Sequence, residues 1–221
     1  MQPVSVHDAS MGKLGRDDSA ARAPGQIAVL VIACALPRHE RAVRTIWATW
    51  GAMEHPRTDV FYVYGNPCSD HELVDLSAEA GQRLPRVPDM SVAKVDDLVL
   101  CGCSDLEWHQ EDAPLRKKLL GLQAMVELAI HDVIVLTDMS SYVERSTLAA
   151  YVAGLDPTRL FHGASVAEAD GDELSPQGSP LLVSRDVAAQ LVTARDEILT
   201  LNEYGANDDA TLSRWVRESV S

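Results

Sequence analysis

The chain has 221 residues, 46% hydrophobic and 24% charged, with a formal net charge of -14. That length suits one core of ordinary size and is short for two, and the composition is that of a globular protein rather than a disordered or fibrous one. The charge excludes a nucleic-acid-binding surface, which needs clustered Lys and Arg against the phosphates, and no run approaches the roughly 20 apolar residues that span a bilayer.

Residues 1–25 are polar, lack periodicity and lack the apolar stretch of an export signal, so they read as a flexible arm before one domain over 26–221, expected in the cytoplasm. In that setting Cys34, Cys68, Cys101 and Cys103 are expected to be reduced. Cys101-Gly102-Cys103 has no second pair at zinc spacing, and the seven histidines show no ligand spacing.

The apolar run Ile27 to Ala33 has the pattern of a strand buried on both faces of a parallel sheet. Pro37 stops it, and Ala42, Val43, Ile46, Trp47 and Trp50 then recur at helical spacing across Arg38 to Trp50. Val60 to Tyr64 is a second strand before the turn Gly65-Asn66-Pro67, His71 to Ala80 a helix, and Gly81 to Val92 a loop carrying Pro85 and Pro88. Asp97 to Leu100 is a short strand, Leu115 to Ile130 a long amphipathic helix after Pro114, and Val133 to Thr137 another fully apolar strand that ends in Asp138. Ser146 to Leu155 reads as helix, Leu160 to Val166 as strand, Ala167 to Gln177 as a polar loop, and Pro180 to Val183 as a short strand. Ser184 is then a candidate N-cap for a helix over Val187 to Leu201, and a last helix begins near Asp208. This alternation predicts an α/β domain, a mainly parallel sheet with helices on both faces whose ligands gather beyond the carboxyl ends of the strands.

Asp138 lies at such a strand end, where a carboxylate either binds ligand or simply caps a turn. Asp208 and Asp209 open a helix, where the macrodipole favours negative charge; one aimed into a cleft would serve as a general base. Arg38, Arg41 and Arg44 gather near one strand end and suit phosphate oxygens, and Lys117-Lys118 begins the long helix with either a diphosphate or plain solvent to face. No Gly-x-Gly-x-x-Gly, P-loop or Gly-x-Ser-x-Gly pattern appears, which removes the usual grounds for a dinucleotide oxidoreductase, a P-loop phosphotransferase or an α/β-hydrolase.

In order and spacing these segments resemble the glycosyltransferase family of the β-1,3-galactosyltransferases and Fringe, across roughly residues 26 to 216. Arg38 to Gly51 looks like the family's Arg-rich helix running into Thr-Trp. Asp97 to Leu100, Ser104-Asp105 and Leu115 to Lys118 are similar to its Asp-led strand, acidic turn and Leu-Thr-x-Lys helix start. Leu136-Thr137-Asp138-Met139-Ser140-Ser141-Tyr142-Val143 aligns with Lys-Thr-Asp-Asp-Asp-Val-Phe-Val, Gln177 to Asp186 with a Gly-rich strand ending in Leu-Ser-Arg, and Asn207 to Leu212 with Pro-Asp-Asp-x-Thr-Ile.

The resemblance implies a GT-A fold and an inverting transfer of a sugar from a UDP-sugar to a hydroxyl. Arg38, Arg41, Arg44, Asp97, Lys118, Thr137, Asp138, Met139 and Ser140 then belong to the donor site, Gly178, Ser179, Ser184 and Asp208 to the acceptor cleft, and Asp209 is the expected base. It also implies Mn²⁺ or Mg²⁺ at Asp138, an expectation that Ser140 undercuts because it stands where the family has a ligating acid. The expected partners are the UDP-sugar and a hydroxylated small acceptor, to which the acidic surface would suit a positive charge, with neither nucleic acid nor membrane. A catalytically silent nucleotide-sugar or glycan-binding protein of the same fold is the alternative.

Overall fold

The structure of the protein, a computed structural model, describes residues 25–34, 36–66, 84–105, 112–167, 174–202 and 208–220. The arm over 1–24 and the expected helix His71 to Ala80 lie outside the described residues.

Seven strands form one mixed sheet: β1 Ile27–Ile32, β2 Thr58–Asn66, β3 Val92–Val95, β4 Leu98–Ser104, β5 Val133–Asp138, β6 Phe161–Ala167 and β7 Leu174–Ser184, in the spatial order β3-β4-β2-β1-β5-β7-β6. β4, β2, β1 and β5 are mutually parallel, while β3 and β7 run against their neighbours. Unbroken apolar runs form the parallel centre because both faces are covered. On one face Leu30, Val63, Cys101, Ile134 and Leu136 pack against helices α2 Ala113–Leu128, α4 Arg185–Thr193, α5 Arg195–Leu201 and α6 Asp208–Ser219. On the other, Val29, Val31, Tyr62, Leu100 and Val135 meet α1 Pro37–Ile46, the π-helical turn Trp47–Gly51 and α3 Arg145–Ala153. No helix among the described residues is long and apolar enough to cross a membrane.

Several elements differ from the sequence reading. The expected loop Gly81 to Val92, of which residues 81–83 lie outside the described residues, runs into β3 at Val92, a short edge strand that the sequence reading did not place and whose exposed Lys94 blunts further pairing. The helix expected through Trp50 turns π-helical at Trp47, where Thr45 and Thr49 hydroxyls donate to the carbonyls of Arg41 and Thr45 at 2.7 and 2.6 Å. Such back-bonding bends helices, and Thr49 leaves helical geometry at φ -122°, ψ -112°. The helix expected over Val187 to Leu201 is two, broken at Ala194 with no Gly or Pro to announce it, and Asp196 and Glu197 favour the fresh N-terminus. β7 is eleven residues long rather than four. It registers with β5 only through Leu181–Ser184; Pro176 lies opposite Ser165 of β6 and Pro180 lies outside both registers, so neither proline takes a place in the β5 ladder.

Candidate functional site

β2 lies on one side of β1 and β5 on the other, which makes the β1/β5 junction the point where strand order reverses, the place where open α/β sheets take ligands in a crevice beyond the carboxyl ends. Ile32 registers with Asp138 at that edge, and strand alternation sends the Asp138 side chain to the face of Ile134 and Leu136, the side covered by α2 and α6. Its Oδ1 accepts from the Ser140 amide at 2.7 Å, the Ser140 hydroxyl at 2.7 Å and the Ser141 hydroxyl at 3.0 Å. This is an Asx turn. Thr137 is buried one residue back, and Met139 packs against the opposite apolar layer with Val143 behind it.

A second polar assembly ties the carboxyl ends of β1, β2 and β4. Lys117, 3% exposed, donates from Nζ to the Ala33 carbonyl at 2.8 Å and to Asp105 Oδ1 at 3.2 Å. The same Oδ1 accepts from the Gly65 amide at 2.9 Å, and the Asp105 carbonyl accepts from the Cys34 thiol at 3.2 Å. Gly65 is required here: a Cβ would lie 2.6 Å from the Ser104 carbonyl oxygen. The sequence offered Lys117 a diphosphate or solvent to face, and the structure gives it neither; Asp105, its partner, had no site role in the sequence, where the strand before it was read only as far as Leu100.

Lys118, one residue on, turns to α6. Its Nζ lies 2.7 Å from Asp208 Oδ2 and also pairs with Asp209 Oδ1, and all three residues are at most sparingly exposed. Burial disfavours the Lys118 ammonium, but the two carboxylates outweigh it and hold its pKa above the ordinary lysine value. Because α2 leaves the carboxyl edge near Asp105 and Lys117 reaches Ala33, this cluster shares both edge and face with Asp138.

The structure thus brings Lys118, Asp208 and Asp209 into contact and sets them on the same side as Asp138 and Ser140. Gly178 and Ser179 lie in the half of β7 beyond its pairing with β5, which ends at Leu136–Leu181. Ser184 does not join them. It pairs with Val133 at the amino edge, about 17 Å from Asp138 by strand rise, and its hydroxyl accepts from the Leu160 amide at 2.9 Å instead of capping α4 through its side chain. Asp97 is equally removed, in the β3–β4 turn, three strand spacings or about 14 Å from β5. Arg41 and Arg44 line a shallow groove along α1 with Glu40 and Thr45, and Arg44 Nε pairs with Glu40 at 2.7 Å. The Arg38 side chain lies outside the described residues.

Cys34, Cys101 and Cys103 are free and buried around the Lys117 assembly. Burial pushes the Cys103 thiol up to about 12 from 9.0, and raises those of Cys101 and Cys34 in the same sense. An acid whose folded pKa is raised stabilises the fold below its unfolded pKa and stops doing so as pH climbs towards the folded one. The urea midpoint is therefore expected to fall from pH 9 upward, and Cys103→Ala should flatten that decline by at most about 1.4 kcal/mol per pH unit. An identical slope in the variant would show that Cys103 is not the titrating group.

No protein-family model matches this chain, and a search of curated proteins finds no match.

Proposed function

We propose that the chain is an inverting glycosyltransferase of GT-A type, akin to the β-1,3-galactosyltransferases and Fringe, moving a sugar from a UDP-sugar to a hydroxyl of a soluble cytoplasmic acceptor. The observation that carries this reading is the convergence of Asp138 and Asp209 at one edge and on one face of the sheet, beside the strand-order reversal where open α/β sheets take ligands. Asp209 takes the acceptor's proton; the freed oxygen attacks the anomeric carbon as the bond to the diphosphate oxygen breaks on the opposite side.

The divalent ion implied by the family does not fit the Asp138 turn as it stands. An amide hydrogen and two hydroxyls already address Oδ1, and Ser140 supplies no charge. Asp208 and Asp209 are committed to Lys118, and among the described residues no three His, Cys, Asp or Glu gather as a metal site. No step is routed through an ion. The diphosphate is met instead by the N-terminus of α1, which follows β1 at the crevice and carries about half a positive charge, with exposed Arg41 alongside. Three carboxylates against one lysine favour an acceptor bearing positive charge.

UDP at about 100 times its Kd should raise the melting temperature by about 5–10 °C, and Asp138→Ala should abolish the shift. No shift with UDP in the wild type would sink the reading. The three hydrogen bonds closing on Asp138 favour one second reading, a silent nucleotide-sugar-binding protein, which predicts the same shift without release of UDP from any UDP-sugar.

A further inference from the structure

We infer that Lys118 is a positioning residue for Asp209, acting through that carboxylate and not on the donor; this rests on the glycosyltransferase reading above. The joint it occupies is stiff. Lys118 stands in the second turn of α2 and both aspartates in the first turn of α6, with side chains only 9–13% exposed. Nearby, Asn202 bridges the two helices, donating to Asp112 at the start of α2 and accepting from the Thr211 hydroxyl on α6 at 2.7 Å, while Arg214 donates to the Leu201 carbonyl at 3.0 Å. Two of the ammonium's three N–H donors are spent on the carboxylates, and its position between them fixes how the Asp209 carboxylate is held.

Charge gives Lys118 a second task. Asp208 and Asp209 are adjacent in sequence and bonded to the same nitrogen. Among the described residues the other charged groups on this side include Asp112, engaged by Asn202, Asp138, engaged by its own turn, Asp105 and Lys117, engaged with each other, and Arg214, which donates to the Leu201 carbonyl. Without the ammonium, two carboxylates face one another across a largely dry joint, and such a pair retains a proton to higher pH than a lone acid. A base that stays protonated takes no proton from an acceptor.

The test measures UDP affinity by calorimetry and the pH profile of UDP-galactose hydrolysis in wild type, Lys118→Gln, Lys118→Arg and the double variant Lys118→Gln/Asp208→Asn. UDP affinity should be unchanged throughout. The acid limb of hydrolysis should move up by about one pH unit or more in Lys118→Gln, return in Lys118→Arg, and return also in the double variant, which removes the like charge and tolerates the loss of the ammonium should the single variant fold poorly. A tenfold or greater loss of UDP affinity with an unmoved acid limb makes Lys118 a donor ligand and overturns the inference alone. A wild type that neither binds UDP nor hydrolyses the donor overturns the underlying reading and this one with it.

Discussion

Lys117→Met is expected to destabilise the fold by about 3–5 kcal/mol, the cost typical of removing one member of a buried ion pair. The urea midpoint should drop with an unchanged slope. Methionine follows much of the lysine stem, so the loss is not chiefly that of a cavity; it comes from stranding what the ammonium served. Asp105 would keep a buried charge with the Gly65 amide still on Oδ1, and the Ala33 carbonyl would lose its 2.8 Å donor. Removing both members is a different matter, because two polar groups replaced together leave no uncompensated charge. Lys117→Met/Asp105→Leu should therefore recover much of the single-variant loss, and the double-mutant cycle would report the coupling. If the single variant costs under about 1 kcal/mol, the typical worth of an exposed pair, the assembly is more hydrated than its geometry implies.

The parallel centre was legible because β1, β2 and β5 are apolar on both faces, a pattern few other structures produce, and the strand end at Asp138 followed from it. Ser184 was not legible for a physical reason. A strand's composition does not reveal its direction, and β7 runs antiparallel to β5, so the end of β7 that carries Ser184 meets the amino edge while its Gly178-Ser179 half lies beyond the Leu136–Leu181 pair. Lys117 and Lys118 show a second limit. Neighbours of one residue type have no periodicity to separate them, yet one turns down to Asp105 and the other across to Asp209, partners 12 and 91 positions away that only the assembled topology supplies. Ser141 belongs with the first kind of signal: an aspartate followed by Ser at the second and third positions is an Asx-turn pattern, and it closes on Asp138 as that pattern predicts.

Asp209→Asn is expected to lower hydrolysis of the UDP-sugar by about 10²–10⁴-fold, the range a positioned general base contributes, with UDP affinity unchanged. Water stands in for the acceptor in this assay, so the proton taken by Asp209 is the water's. Asparagine has nearly the same shape and keeps a carbonyl oxygen for Lys118, and Asp208 still balances the ammonium at 2.7 Å, so the variant should remain folded. Asp208→Asn is the matched control: it removes one charge from the same lysine and the same helix turn while leaving Asp209 ionisable. If Asp208→Asn proves the damaging change and Asp209→Asn the mild one, the base is the first aspartate of α6. If both variants hydrolyse donor at the wild-type rate while Asp138→Ala still loses UDP binding, the crevice binds the nucleotide but α6 takes no part in the chemistry. The contrast between two adjacent carboxylates on one ammonium therefore separates chemistry from mere charge, since any purely electrostatic effect should be of similar size at both.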